Sequence, residues 1–130
     1  MPELKKPSEW DDATRGRYFT ALTQAKKTIN TAIAGLKVMR AHEGNAAKKA
    51  EIGQEILDLE LDLRLIEEKW AAAELDADRI AAPTPEQMQA FSRILADLEK
   101  QTKDNKAWKA VAALVVEVVG IINKIHPASA

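Results

Sequence analysis

The chain has 130 residues and a formal net charge of −1 at pH 7, with 46% hydrophobic and 30% charged residues. This composition excludes a disordered chain and an integral membrane protein, and the near-zero charge gives no reason to expect nucleic-acid binding. Because the sequence holds no cysteine, disulfides, thiolate nucleophiles and cysteine-based zinc sites are excluded as well.

The beginning of the chain predicts a flexible end over residues 1–7 rather than a targeting signal. Its charges are not followed by an apolar segment of the kind that a secretory signal requires. We therefore expect a cytoplasmic protein, although export by a non-classical route is compatible with the sequence. The length is that of one domain, and we expect residues 1–130 to form a single helical bundle.

The first predicted helix begins with Ser8 as its N-cap and Asp11 at the capping-box position. Apolar residues then recur at intervals of three and four, which is typical of one buried helix face. They are Tyr18, Leu22, Ala25, Ile29, Ile33 and Leu36. The helix is predicted to end near His42, with Gly44 after it and Asn45 as the cap of the next helix. So short a connection predicts an antiparallel hairpin.

The second predicted helix carries the longest regular apolar seam of the chain. Its members are Ile52, Ile56, Leu59, Leu63, Ile66, Trp70, Ala73, Ala77 and Ile80. Alternating intervals of four and three over this length indicate a helix that packs in the manner of a coiled coil. We expect it to run to about Ala81, because Pro83 cannot continue it.

The third predicted helix has the clearest start signal, with Thr84 as N-cap, Pro85 in the first position and Gln87 completing a capping box. Its apolar stripe runs from Met88 to Ile125 and becomes polar at Thr102 and Asn105. The helix therefore either continues or breaks near Asp104, and the preserved phase favours continuity. His126-Pro127 ends it, and residues 127–130 are predicted to be flexible.

Three helices of matched length joined by short turns predict an all-α fold without β-strands. The specific prediction is a long antiparallel three-helix bundle, up-down-up and coiled-coil-like. Its core is predicted to contain Leu22, Ile29, Leu36, Ile56, Leu63, Ile66, Trp70, Leu95, Leu98, Val115 and Ile122.

No motif for catalysis or cofactor binding is present in the sequence. The glycines are scattered singly, and the serines lack the motif of an activated nucleophile. The two histidines, His42 and His126, fall at predicted helix ends. We therefore expect neither an enzyme nor a small-molecule substrate, and no cofactor.

One flank of the second predicted helix carries four acids at spacings that resemble those of metal ligands. They are Glu51, Glu55, Asp58 and Asp62. Hard cations need oxygen ligands that converge from several elements, which one helix edge cannot provide. We therefore expect a solvated acidic edge and no bound metal.

The third predicted helix carries a basic run beside Trp108. It consists of Lys100, Lys103, Lys106 and Lys109. Acids interleave with these lysines, and spacing by three spreads them around about half of the helix, whereas phosphate binding needs a concentrated field. A solvated face is favoured, and no nucleic-acid partner is expected.

Two apolar stripes lie opposite the predicted core seams and indicate an interaction surface. They consist of Leu57, Leu61 and Leu65 on helix 2 and of Ala112, Val116 and Val119 on helix 3. A helix in an isolated three-helix bundle needs only one stripe, so either a further segment of the chain covers these residues or another chain does. We favour a non-enzymatic interaction or assembly protein that self-associates or docks on a protein partner, with a homo-oligomer preferred.

The main alternative is a membrane-active protein, such as a component of a pore or lysis system. It would use the apolar segment Ala110 to Ile122, which is too short to cross a bilayer as one helix. Glu117 within this segment argues against lipid contact, so membrane binding is the less favoured partner. A small regulator or immunity-type inhibitor with an acidic surface on helix 2 is a third reading, and a catalytic role is the last.

Overall fold

The computed structural model describes residues 3–104 and 107–127, and this part of the chain is almost entirely helical. The helices are α1 (Asp12–His42), α2 (Ala46–Glu74), α3 (Pro85–Thr102) and α4 (Trp108–Ile125). The all-helical prediction is confirmed, but the described residues form four helices and the three-helix bundle is wrong. Continuity of the third predicted helix is wrong as well, because α3 ends at Thr102 and α4 begins only at Trp108.

The break falls where the apolar stripe turns polar. Thr102 donates its hydroxyl hydrogen to the carbonyl oxygen of Glu99, and the N–H of Asp104 bonds the carbonyl of Gln101, which tightens the last turn of α3. The preserved 3–4 phase hid the break, because two helices that face one core can keep a common phase across a short connection. Asn105 of the predicted stripe and Lys106 of the predicted basic run lie outside the described residues.

The four helices alternate in direction. The pair α1 and α2 forms the expected antiparallel hairpin, and α3 and α4 form a second hairpin packed against it. The start of α3 lies beside the first part of α1, and its end lies further along the same helix, so α1 and α3 are parallel. Helix α4 then returns beside α2. The topology is up-down-up-down.

Two of the three predicted N-caps are confirmed. The Asn45 side chain accepts from the N–H groups of Ala47 and Lys48, and Thr84 forms the capping box with Gln87. Helix α1 is different, because its N-cap is Asp11, whose carboxylate accepts from the Thr14 N–H. The prediction of Ser8 as cap is wrong because residues 7–9 form a separate 3₁₀ turn.

Helix α2 ends at Glu74, seven residues before the predicted end at Ala81. The N–H of Asp76 bonds the carbonyl of Ala73, and the N–H of Ala77 bonds that of Ala72, which is the Schellman pattern. Asp76 occupies the left-handed position with φ 52°, where glycine is the usual residue. Because an aspartate takes this position, the sequence lacks the usual glycine stop signal, and the apolar spacing continues through Ala77 to Ile80.

A short antiparallel pairing joins the beginning of the chain to the connection between α2 and α3. Strand β1 (Leu4–Lys5) pairs with β2 (Ile80–Ala81), with Leu4 opposite Ala81. The expectation of no β-strand is therefore wrong in this detail. Residues 1–7 were expected to be a free end, yet this pairing places Leu4 and Lys5 against the bundle. Of the predicted C-terminal end, residues 128–130 lie outside the described part.

The predicted core is largely confirmed. Nine of its eleven side chains are buried, while Leu63 and Trp70 are only half-buried and pack against its margin. The core also includes Trp10, which the sequence placed in a helix start rather than inside. Its ring lies edge-on to Tyr18 at 5.6 Å, and its indole N–H points to the carbonyl oxygen of Ile80 at 3.4 Å.

Candidate interaction surface

The structure leaves much of both predicted stripes uncovered. Leu57 and Leu61 on α2 are 58% and 61% exposed, and Val116 on α4 is 67% exposed. Leu65, Ala112 and Val119 are half-buried. The alternative in which another segment of the chain covers the stripes is therefore not met among the described residues, even though the third predicted helix is broken into α3 and α4.

The stripes lie on neighbouring helices that run parallel in a fixed register. At one end, Lys69 Nζ donates to the carbonyl oxygen of His126, 57 residues further along. At the other end, Glu51 and Trp108, with the same separation, line one depression. Because both helices have the same rise per residue, this offset holds between the two ends. It sets Leu61 within about one turn of Val118 and Leu65 within about one turn of Ile122.

Helical periodicity then orients most of both stripes toward one side of the bundle. On α2, Leu65 points outward on the α4 side and Leu61 points directly away from the core. Leu57 lies on the α1 side of Leu61, one turn after Gly53, which faces Arg40 of α1. On α4, Val116 points outward, with Ala112 and Val119 nearer to α2. We call this side the α2/α4 face, defined by Leu61, Leu65, Ala112, Val116 and Val119; Leu57 of the predicted stripe lies outside it.

An acidic row runs along the α2 side of the same face. It consists of Glu51, Glu55, Asp58 and Asp62, the residues considered above as a metal edge. The register sets Glu55 within about one turn of Ala112 and Asp62 within about one turn of Val119. Burial raises the pKa of both Glu55 and Asp62, and the neighbouring Asp58 carboxylate raises each further. These carboxylates are thus partly removed from water beside an apolar helix flank.

Among the described residues, Lys48 and Lys109 line the same depression as Glu51, but no ion pair reaches Glu55, Asp58 or Asp62. Between Lys109 and Lys124, the only charged residue of α4 is Glu117. Within the described residues, ion pairs join only Lys5 to Glu3 and His126 to Asp78. Asp58 accepts a hydrogen bond from Gln54 on its own helix, at 3.0 Å. Glu55, Asp58 and Asp62 therefore have no cationic partner within ion-pair distance among the described residues.

A polar cluster that the sequence did not reveal closes the end of this seam. His126 and Lys69 are buried, 2% and 7% exposed, and Asp78 lies beside the histidine. Lys69 Nζ lies 2.6 Å from the His126 carbonyl oxygen, and His126 Nε2 lies 2.9 Å from Asp78 Oδ2. Burial lowers the pKa of Lys69, and the nearby carboxylates of Asp78 and Glu68 oppose that shift.

This cluster joins the end of α4 to α2 and to the connection between α2 and α3. His126 Nε2 and Asp78 Oδ2 share a hydrogen bond, and the buried Nδ1 has no partner among the described residues. A ring this enclosed offers no nitrogen to a substrate. One signal was present in the sequence: His126 continues the 3–4 spacing of Val115, Val119 and Ile122, which places it on a buried flank.

A groove of about 820 Å³ lies elsewhere, between α1 and α2. Phe19 and Trp70 meet edge-to-face across it, with ring centroids 5.9 Å apart, and Lys26 lies over the Trp70 ring. Its rim carries two acids and two bases, Asp12, Arg15, Lys27 and Glu74. Balanced charge and a wide opening to solvent indicate no particular ligand.

Other classes of site find no support in the described residues. No three histidine, aspartate or glutamate side chains there are grouped to hold a metal ion. No helix of the described chain is long and apolar enough to cross a membrane. Comparison with protein-family models, with curated proteins and with solved structures finds no match.

Proposed function

We propose that this chain is a non-enzymatic helical interaction module that binds a partner helix through the α2/α4 face. The observation that carries the proposal is the exposure of Leu61 and Val116, at 61% and 67%, on adjacent parallel helices. Two helices side by side form a shallow trough, which suits the apolar side of a third helix. A homo-oligomer built through the same face remains an alternative, and the test below separates the two.

The test uses three synthetic helical peptides that share one leucine stripe and carry lysine, glutamine or glutamate at the flanking positions. NMR titration of the labelled protein maps where each peptide binds, and sedimentation measures self-association of the protein alone. We expect shifts confined to α2 and α4. A leucine buried by a partner contributes about 1.5–3 kcal/mol, so Leu61→Gln should weaken binding about tenfold or more.

Matched variants control for effects on folding and for unspecific contact. Val38 on α1 is 60% exposed but lies away from the face, so Val38→Gln should leave binding unchanged. Leu59 is 1% exposed, and Leu59→Gln should destabilise the fold itself. The proposal is refuted if no peptide binds and the protein stays monomeric, or if Val38→Gln weakens binding as much as Leu61→Gln does.

A further inference from the structure

The charge of the α2/α4 face restricts what can cover it. Glu55, Asp58 and Asp62 follow one another at intervals of three and four, so their carboxylates form a line along the seam. Covering this line with an apolar or acidic surface would remove unpaired charges from water, which is unfavourable. Covering it with cations of matching spacing would replace the water that is lost and relieve the repulsion within the row.

A second copy of the face does not meet this requirement. Two α2/α4 faces placed against each other would bring two acidic rows into one interface. Helix α4 has lysines only near its ends, at Lys109 and Lys124, and Lys109 lies over the Trp108 ring. Neither lysine is level with the middle of the row, because the register sets Glu55 to Asp62 against residues 112–119 to within about one turn. Like-charge contact therefore disfavours symmetric pairing.

We infer that the partner is a cationic amphipathic helix of another protein, whose apolar residues contact Leu61 and Val116 and whose lysines or arginines meet the acidic row between them. This inference rests on the proposed function and specifies its partner. The α2 row would set the register of the bound helix, since a partner cation is needed every three to four residues. The apolar residues would supply most of the buried area.

The experiment compares the three peptides on the intact protein at low salt and at about 0.5 M salt, where charges are screened beyond a few ångströms. We expect the lysine peptide to bind at least about tenfold more tightly than the glutamine peptide at low salt, a ratio typical of close charge complementarity. High salt should reduce that advantage, and the glutamate peptide should not bind.

Reversing the charge of residues in the acidic row tests whether this row causes the preference for the lysine peptide. The double variant Asp58→Lys, Asp62→Lys should lose the preference for the lysine peptide and gain affinity for the glutamate peptide. The double variant Glu60→Lys, Glu67→Lys changes the net charge by the same amount on the other flank of α2, where both residues are exposed, and should keep the preference. This control separates the acidic row from the overall charge of the protein.

The outcomes distinguish the inference from the function on which it rests. If the glutamine and lysine peptides bind the face equally, the cationic partner is refuted and the interaction module stands. If wild-type protein forms a dimer that Leu61→Gln dissociates, a second copy is the occupant and the inference is overturned. If neither a peptide nor a second copy binds the face, both proposals fail together.

Discussion

Replacing Trp10 with alanine should be among the most destabilising changes in the chain. Trp10 is 5% exposed and joins the start of α1 to the connection before α3. Loss of a buried tryptophan side chain costs about 3–5 kcal/mol of unfolding free energy. For a domain of this size, each kcal/mol lowers the melting temperature by roughly 3–5 °C, which gives a fall of about 10–25 °C.

Urea unfolding followed by circular dichroism measures this cost, and Trp10→Phe provides the matched variant. Phenylalanine keeps most of the ring contact with Tyr18 but loses the long indole hydrogen bond to Ile80, so it should cost only about 1 kcal/mol. A cost below about 1 kcal/mol for the alanine variant would show that Trp10 is not part of the core and would refute the burial argument.

Two further changes test the helix start and the acidic row. Asp11→Ala should lower the unfolding free energy by about 1 kcal/mol, because the Thr14 N–H loses its capping acceptor. Asp11→Asn keeps a capping oxygen and should change the unfolding free energy by less than about 0.5 kcal/mol. Ser8→Ala should leave the start of α1 in place. The raised pKa values of Glu55 and Asp62 mean that the folded state binds protons more tightly than the unfolded state. The charged carboxylates therefore lower the free energy of unfolding, and this loss of stability disappears as the pH falls through the raised pKa. The double variant Glu55→Gln, Asp62→Asn should therefore be more stable than wild type at about pH 7 and lose that advantage by about pH 3, below the ordinary pKa values of both groups, as urea unfolding at both pH values would show. An advantage that is independent of pH would contradict the burial of these carboxylates.

The helices were predictable where local signals were strong. The caps at Asn45 and Thr84 and most of the core follow from side-chain chemistry and from the 3–4 spacing, both of which act over a few residues. The end of α2 was missed because Asp76, rather than glycine, holds the left-handed position. The break after Thr102 was missed because the apolar phase is the same on both sides of it.

The candidate surface was only partly predictable, because it depends on contacts between residues that are far apart in the sequence. Periodicity showed that Leu61 and Val116 lie opposite their own core seams, but not that α4 packs beside α2 and brings both to one side. That arrangement depends on contacts such as Lys69 with His126, which are distant in sequence. Periodicity also placed the acids on one flank without showing that α4 would leave them unpaired.

The connection between α2 and α3 has a consequence for the kinetics of folding. It pairs with Leu4 and accepts a hydrogen bond from Trp10, both near the beginning of the chain, and it contacts His126 at the end of α4. The two helical hairpins are local and can form early, whereas these contacts join distant parts of the chain and should form after the rate-limiting step. Interactions absent from the transition state act mainly on the unfolding rate. The connection should therefore set how long the bundle stays folded far more than how fast it forms.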